Sequence, residues 1–336
     1  MLAGFGLTAC SGGASGDKTL NILNWGDYID ESILDDFEQE TGITVNYYTM
    51  PTNEEMLVQL QTEGNVYDIC FPSDYIIERM ISEDMLAELD HDKIPNMTNI
   101  DGRFLNIEFD PGNKYSIPYM WGTVGILYNT TMVDEPVDSW NILWDEKYDN
   151  KILMYDSIRD TIGITLKKLG YSMNTRDEAQ IAEARDALIE QKPLVLAYAG
   201  DDIKEKMISG SAALGVVYSG DAYYCMTENP DLAYAVPKEG SNYWFDNIVV
   251  LKTCKNLESA ETFIDFLCRP DIAARNAEYI GYSTPNKAAL EQLPEEMTTN
   301  ETYNPPQDVL DRCEMFHDLG DFISVYNDAW IQIKSK

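Results

Sequence analysis

The chain has 336 residues, 44% of them hydrophobic, and its 58 acidic against 24 basic side chains give a formal net charge of −34. That length can bury two cores of ordinary domain size, while the charge argues against nucleic-acid binding by phosphate neutralisation. It favours cationic partners, although acidity retained for solubility would look the same. No apolar run approaches the ~20 residues that span a bilayer.

The chain opens with "MLAGFGLTACSGGASGDK", a short apolar piece ending in Leu7-Thr8-Ala9-Cys10 and followed by small and polar residues. This resembles the lipobox of bacterial lipoproteins, which implies Cys10 as the lipidation site. The basic region that leads a secretory signal is missing, so residues 1–17 are read as a truncated lipoprotein signal and flexible tether. An incidental Ala-Cys pair in a tail is the bland alternative. Removing Cys10 leaves Cys70, Cys225, Cys254, Cys268 and Cys313, an odd, scattered set from which neither a disulfide framework nor a zinc site can be read. Cys70 and Cys268 lie in apolar runs and are expected to be buried.

From Thr19 the pattern alternates strand and helix. "TLNILNW" is strand-like and leads into the helix "DESILDDFEQETG", where Ile33, Leu34 and Phe37 share a face and Gly42 supplies the stop. "ITVNYYTM" is the next strand. Thr52-x-x-Glu55 then opens "TNEEMLVQLQTEG", a capping-box helix again ending in glycine. "YDICF" and the amphipathic "IIERMISEDML" follow, and this β-α-β-α-β order predicts a parallel sheet covered by helices. A second unit offers the strands "KILMYD", "PLVLAY", "ALGVVYS" and "LAYAVP", with "RDEAQIAEARDALIEQK" as its best helix. The end of the chain reads as mainly helical, in "SAETFIDFLCRPDIAARNAEYIG" and "DVLDRCEMFHDLGDFISVYNDAWIQIK".

Ligands of open parallel sheets lie outside the carboxyl ends of strands. The residues following four strands here are Trp25-Gly26-Asp27-Tyr28, Ser73-Asp74-Tyr75, Asp156 to Asp160, and Tyr218-Ser219-Gly220-Asp221. Aromatics, hydroxyls and carboxylates with few bases suit a cation. Within "SNYWFDNIVV", Asp246 interrupts an otherwise apolar strand, and a carboxylate taken out of water costs several kcal/mol unless compensated. Phosphate-loop, dinucleotide, zinc-protease and nucleophile-elbow signatures do not occur, and the only histidines are His91, in a polar stretch, and His317. Paired carboxylates are too abundant to discriminate, so a secreted carboxylate-pair hydrolase stays as a rival.

The stretches "NWGDYI", "DICFPSDYIIERM", "YSIPYMWGTVGILYN", "LGYSMNT", "YWFDNIVV" and "FLCRPDIAARNAEYIGYSTPN" occur in one order across the chain. From Lys18 onward it resembles the spermidine/putrescine-binding proteins, the extracytoplasmic receptors of polyamine importers of the ATP-binding-cassette type. The resemblance implies an α/β, two-lobed fold of the type II periplasmic-binding-protein kind, each lobe a mostly parallel sheet flanked by helices, with the ligand cleft between them. Lobe one would comprise residues 18–122 and 246–290, and lobe two residues 123–245 and 291–336. The crossings fall at "WGTVG", whose glycines suit a hinge, and at "YWFDN".

The resemblance further implies a monomeric receptor, not an enzyme, without metal or cofactor. Its partners would be a polyamine and a membrane permease, with no nucleic acid, and only a lipid anchor would touch the membrane, on its extracytoplasmic face. Carried over by position, Trp25 and Tyr28 line one wall, with Asp27 beside them, and Ser73 and Tyr75 the adjoining one. Trp244 stacks on the methylene chain and Asp246 pairs with an ammonium near the ligand's centre. Asp160 matches one of two acids for a terminal amine, while Ser157 falls where the other is expected. Tyr218 stands where enteric members show tryptophan, and Tyr282 matches directly. Carboxylates at matching separations and aromatic faces are what an extended chain of ammonium groups requires. Bland readings stand beside these: Trp25, Tyr28, Tyr75 and Trp244 serve equally as core aromatics, and Ser73, Asp27 or Asp160 as helix caps. Pairings of Asp160 with Arg159, and of Ser157 with backbone, are further bland readings. A receptor of the same fold for another small cation is the nearer alternative.

Overall fold

The computed structural model describes residues 18–63 and 66–336. Cys10 with its lipobox, and the glycine stop expected at position 64, lie outside the described residues.

The first unit is β1 (Thr19–Asn24), α1 (Ser32–Thr41), β2 (Thr44–Thr49), α2 (Asn53–Glu63), β3 (Ile69–Cys70) and α3 (Asp74–Ser82). β1 lies between β2 and β3, parallel to both, as the alternation predicts. α1 buries Ile33 and Phe37 and stops at Gly42, and the Glu55 N–H donates to Thr52 Oγ1 at 3.1 Å in front of α2. Phe37 meets Phe263 and Phe266 edge-on at 5.0 and 5.4 Å between ring centres, and burying each such ring stabilises by about 1.5–3 kcal/mol.

Next come β4 (Ser116–Asn129), β5 (Ile152–Tyr155), α4 (Ile158–Lys168), α5 (Glu178–Gln191), β6 (Val195–Ala199), α6 (Ile203–Ile208), β7 (Leu214–Tyr218), α7 (Ser219–Glu228) and β8 (Leu232–Ala235). β9 (Tyr243–Val250), α8 (Leu257–Leu267) and α9 (Pro270–Ile280) follow. The strands hydrogen-bond in the order β2-β1-β3-β9-β4-β7-β5-β6, with β8 paired to β4 off this path. β5 is parallel to β6 and β7, whereas β9 runs antiparallel to β3 and β4, and β4 antiparallel to β7 and β8.

β4 and β9 are therefore the centre of a curled mixed sheet. Both are buried almost throughout, which is why they read as largely apolar runs rather than alternating ones. Pro118 has no N–H to donate, and the β4–β9 register shifts between Pro118 and Met120. Gly122 and Gly125 both lie inside β4, in register with β9 and β7 respectively. One apolar core runs under the whole sheet, and smaller ones lie beneath α2 and α3 and between β5, α6 and α7. Cys70 and Cys268 are buried in these cores, and His91 is exposed.

The end of the chain corrects the sequence reading. "DVLDRCEMFHDLGDFISVYNDAWIQIK" is helical only over Gln307–Leu310 and Ile323–Ser335, apart from a short 3-10 turn at Gly320–Phe322. Between them Glu314 forms one parallel bridge with Asn242, just ahead of β9: the Glu314 N–H donates to the Ser241 carbonyl at 2.9 Å, and the Tyr243 N–H to the Glu314 carbonyl at 3.0 Å. Sheet-type pairing takes the backbone groups that a helix would have used.

Candidate functional site

Asp246 lies mid-way along β9, where Ser73, just beyond β3, pairs with it as an antiparallel bridge. The Ser73 hydroxyl donates to Oδ1 at 2.6 Å and the Tyr28 hydroxyl to Oδ2 at 2.8 Å. Both donors are themselves fixed. Asn53 Nδ2 donates to Ser73 Oγ at 2.9 Å, and Tyr119 Oη donates to the Tyr28 carbonyl at 2.6 Å. Asp246 is 6% exposed, and among the described residues no basic side chain makes an ion pair with it. Burial pushes its carboxyl up to about 6, against the two hydroxyl hydrogen bonds that pull it down.

A second carboxylate, Asp160, occupies the first turn of α4. Ser157 is the N-cap of that helix: its Oγ accepts from the Asp160 N–H and donates to Asp160 Oδ2 at 2.6 Å. Tyr218, the last residue of β7, adds a hydroxyl to the same oxygen at 2.9 Å. Burial raises the Asp160 carboxyl above its usual range, opposed by these two hydrogen bonds and the nearby Arg159 charge. Asp160 and Arg159 form no ion pair, contrary to one expectation. The Arg159 guanidinium instead lies over the rings of Phe316, Tyr75 and Tyr326 at 4.3, 5.1 and 5.7 Å and donates to the His317 carbonyl and Asn174 Oδ1.

Aromatic rings join the two carboxylates. Trp244 meets Tyr218 at 5.8 Å and Tyr282 at 5.4 Å, and Tyr282 meets Tyr28 at 5.6 Å, all edge-to-face. Two glycines permit this. A Cβ at Gly122 would stand 2.7 Å from Trp244 Cζ2, and one at Gly220 would stand 2.4 Å from Tyr282 Cγ. Tyr282 cannot retreat, because Tyr28 and Trp244 lie against it. Gly220→Ala is therefore expected to destabilise by about 1–3 kcal/mol, read as a lowered thermal midpoint. Gly102→Ala, where nothing lies within 4 Å, should leave the midpoint nearly unchanged.

Of the residues singled out from the sequence, the fold brings together Tyr28, Ser73 and Asp246 on one side, Ser157, Asp160 and Tyr218 on the other, and Trp244 with Tyr282 between. Tyr75 donates its hydroxyl to Glu54 at 3.0 Å and packs on Arg159 and Phe316. Trp25 is half-buried and donates Nε1 to the Phe71 carbonyl at 2.8 Å, outside the network of Asp246. Asp27 is exposed and does not cap α1: Asp30 accepts the Ser32 N–H at 3.0 Å. Ser73 holds the N-cap position of α3 without a side-chain capping bond, because its hydroxyl is committed to Asp246. Sequence reasoning missed the ring cage around Arg159, the Glu54 partner of Tyr75 and the ion pair of Lys204 with Asp221 at 3.5 Å. Asp221 stood among the residues following a strand, which was the one available signal.

A hydroxyl-lined, ring-bordered pair of buried carboxylates can accept a cation. Comparison with known proteins agrees with a binding role. Residues 32–305 match the model of the bacterial extracellular solute-binding protein family. The spermidine/putrescine-binding periplasmic protein of Salmonella typhimurium is 36% identical over 324 residues, 96% of this chain and 93% of that one. The putrescine-binding periplasmic protein of Escherichia coli is 30% identical, over 90% of this chain and 87% of that one. Among solved structures, a putative spermidine/putrescine transporter protein from Listeria monocytogenes superposes with a TM-score of 0.91 at 45% identity, covering 94% of this chain and 99% of the other. The substrate-binding protein of a spermidine/putrescine transporter from Streptococcus pneumoniae does so with 0.83, also at 45%, covering 94% and 98%. The α/β architecture, a curled mixed sheet with helices, is thus that of periplasmic-type receptors, and the chain belongs to the bacterial extracellular solute-binding protein family.

Proposed function

We propose that this protein is an extracytoplasmic receptor that captures spermidine or putrescine and delivers it to the permease of an ATP-binding-cassette importer, acting by binding alone. The observation that carries this reading is Asp246: a buried carboxylate satisfied by two hydroxyls and lacking an internal counter-charge is completed by a cation from outside. The ring set from Tyr218 to Tyr28 supplies faces for methylenes and cation–π attraction of about 0.5–2 kcal/mol each. The polyamine-binding relatives support the same ligand class. Trp25, Asp27 and Tyr75 are proposed as the outer part of the cleft, and the two lobes as residues 18–122 with 246–290, and 123–245 with 291–336. Lipidation at Cys10 would hold the receptor at the outer membrane face, and mass spectrometry of the native amino terminus tests it.

A thermal-shift panel of amines, sugars and metal ions tests the ligand class, since stabilisation grows with ligand concentration over dissociation constant. Shifts with polyamines alone are the expected result. Shifts confined to another cation would favour a same-fold receptor for that solute, and turnover of a glycoside would favour the hydrolase. Because Ser157 replaces a second acid at the Asp160 end, putrescine is expected to compete effectively against spermidine; a strong spermidine preference would contradict that role for Ser157.

A further inference from the structure

β5, β6 and β7 are parallel neighbours, so their carboxyl ends share one edge of the sheet. Asp160 follows β5, Lys204 follows β6 in α6, and Asp221 follows β7 in α7. The Lys204 ammonium lies 3.5 Å from Asp221 Oδ1, with the two side chains 21% and 11% exposed. Asp221 is not remote from the rings. Its carboxyl is electrostatically coupled to the Tyr282 hydroxyl, and the Tyr282 ring lies directly on Gly220, the preceding residue. Tyr282 in turn touches Tyr28, which holds Asp246, and Trp244, which touches Tyr218 on Asp160.

Three buried carboxylates, Asp246, Asp160 and Asp221, thus border one continuous set of rings, and among the described residues only Asp221 carries an internal ammonium. We propose that Lys204 is a specificity-determining residue: on Asp221 its ammonium takes the place that a third positive centre of a longer polyamine would occupy, leaving two carboxylates for the two ammonium groups of a diamine. This rests on the polyamine reading of the cleft. Burial works against the Lys204 charge, yet Asp221, Asp201 and the Asp27 carboxylate together hold its pKa above the ordinary lysine value, so it stays charged where it stands. Burial raises the Asp221 carboxyl, against Lys204 and the Tyr282 hydroxyl, which makes it costly to leave unpaired. Removing the lysine would hand that carboxylate to the ligand.

The test is isothermal titration of the full-length protein and its variants with putrescine and with spermidine, read as the ratio of the two dissociation constants. Lys204→Gln is expected to shift that ratio toward spermidine by about tenfold or more, roughly the effect of one added charge-assisted contact. Asp221→Asn leaves an unpaired lysine beside the rings and is expected to move the ratio the other way, which keeps the proposal testable should Lys204→Gln fold poorly. The double variant should return near the wild-type ratio. If both single variants bind polyamines with the wild-type ratio within twofold, Lys204 does not set specificity and the polyamine reading survives. If the wild-type protein binds neither amine, both fall.

Discussion

Asp246→Asn is expected to weaken polyamine binding by about a hundredfold or more while leaving the unliganded protein at least as stable as wild type at neutral pH. Removing one partner of a buried, hydrogen-bonded charge pair costs about 2–5 kcal/mol of binding. The free protein has the opposite interest. Its Asp246 carboxyl titrates near 6, against 3.8 for an unperturbed aspartate, so the folded state binds more protons between those values. Stability contributed at this position therefore rises as pH falls from above 6 toward 4, and the ionised carboxylate costs about 3 kcal/mol at neutral pH. Asparagine removes that cost and can still meet the Ser73 and Tyr28 hydroxyls. Ligand affinity follows the other sign. Below about pH 6 the ligand must displace a proton, so wild-type affinity should fall by up to about tenfold per pH unit, and that dependence should flatten in the variant. Titration calorimetry and thermal unfolding between about pH 5 and 8 read both. Asp27→Asn, at an exposed site, should change affinity by less than about threefold; equal losses for the two variants would remove Asp246 from its central role.

Trp244→Ala is expected to cost about 3–5 kcal/mol of stability and to lower polyamine affinity by about a hundredfold. The indole is 7% exposed and is the ring that links Tyr218 to Tyr282, so its loss opens a cavity and separates the Asp160 and Asp246 ends. Trp244→Phe supplies the control. Nε1 has no hydrogen-bond partner among the described residues, so phenylalanine gives up ring area without orphaning a polar group. Chemical denaturation should place Trp244→Phe much closer to wild type than Trp244→Ala. If the two variants prove equally weak in binding, the ring face is not what the ligand uses.

Much of this was legible in the chain because it is written locally. Strand periods, Gly42 after α1, Thr52 before α2 and the acid inside an apolar strand are all short-range signals, and each corresponds to a feature of the fold. What escaped was written across distance. Arg159 follows directly on a proposed ligand residue, yet its guanidinium is caged by rings from α3 and from the last forty residues, which no local pattern announces. Lys204 and Asp221 lie in different helices and become partners only because β6 and β7 end on one edge. Gly122 of "WGTVG" lies within a paired strand, where it gives Trp244 room that any side chain would deny. The stretch around Glu314 carries a helical period and loses it to a bridge with Asn242, a choice made by the neighbouring strand rather than by its own composition.

The fourteen residues of β4 hydrogen-bond to β9 at one end and to β7 and β8 at the other. No cut through the polypeptide can give each half of the sheet a complete inner strand, so separately expressed halves should not fold, and calorimetric melting of the intact protein should proceed as one cooperative event. Any relative movement of the two ends of the sheet would have to flex this common spine, leaving the molecule one body.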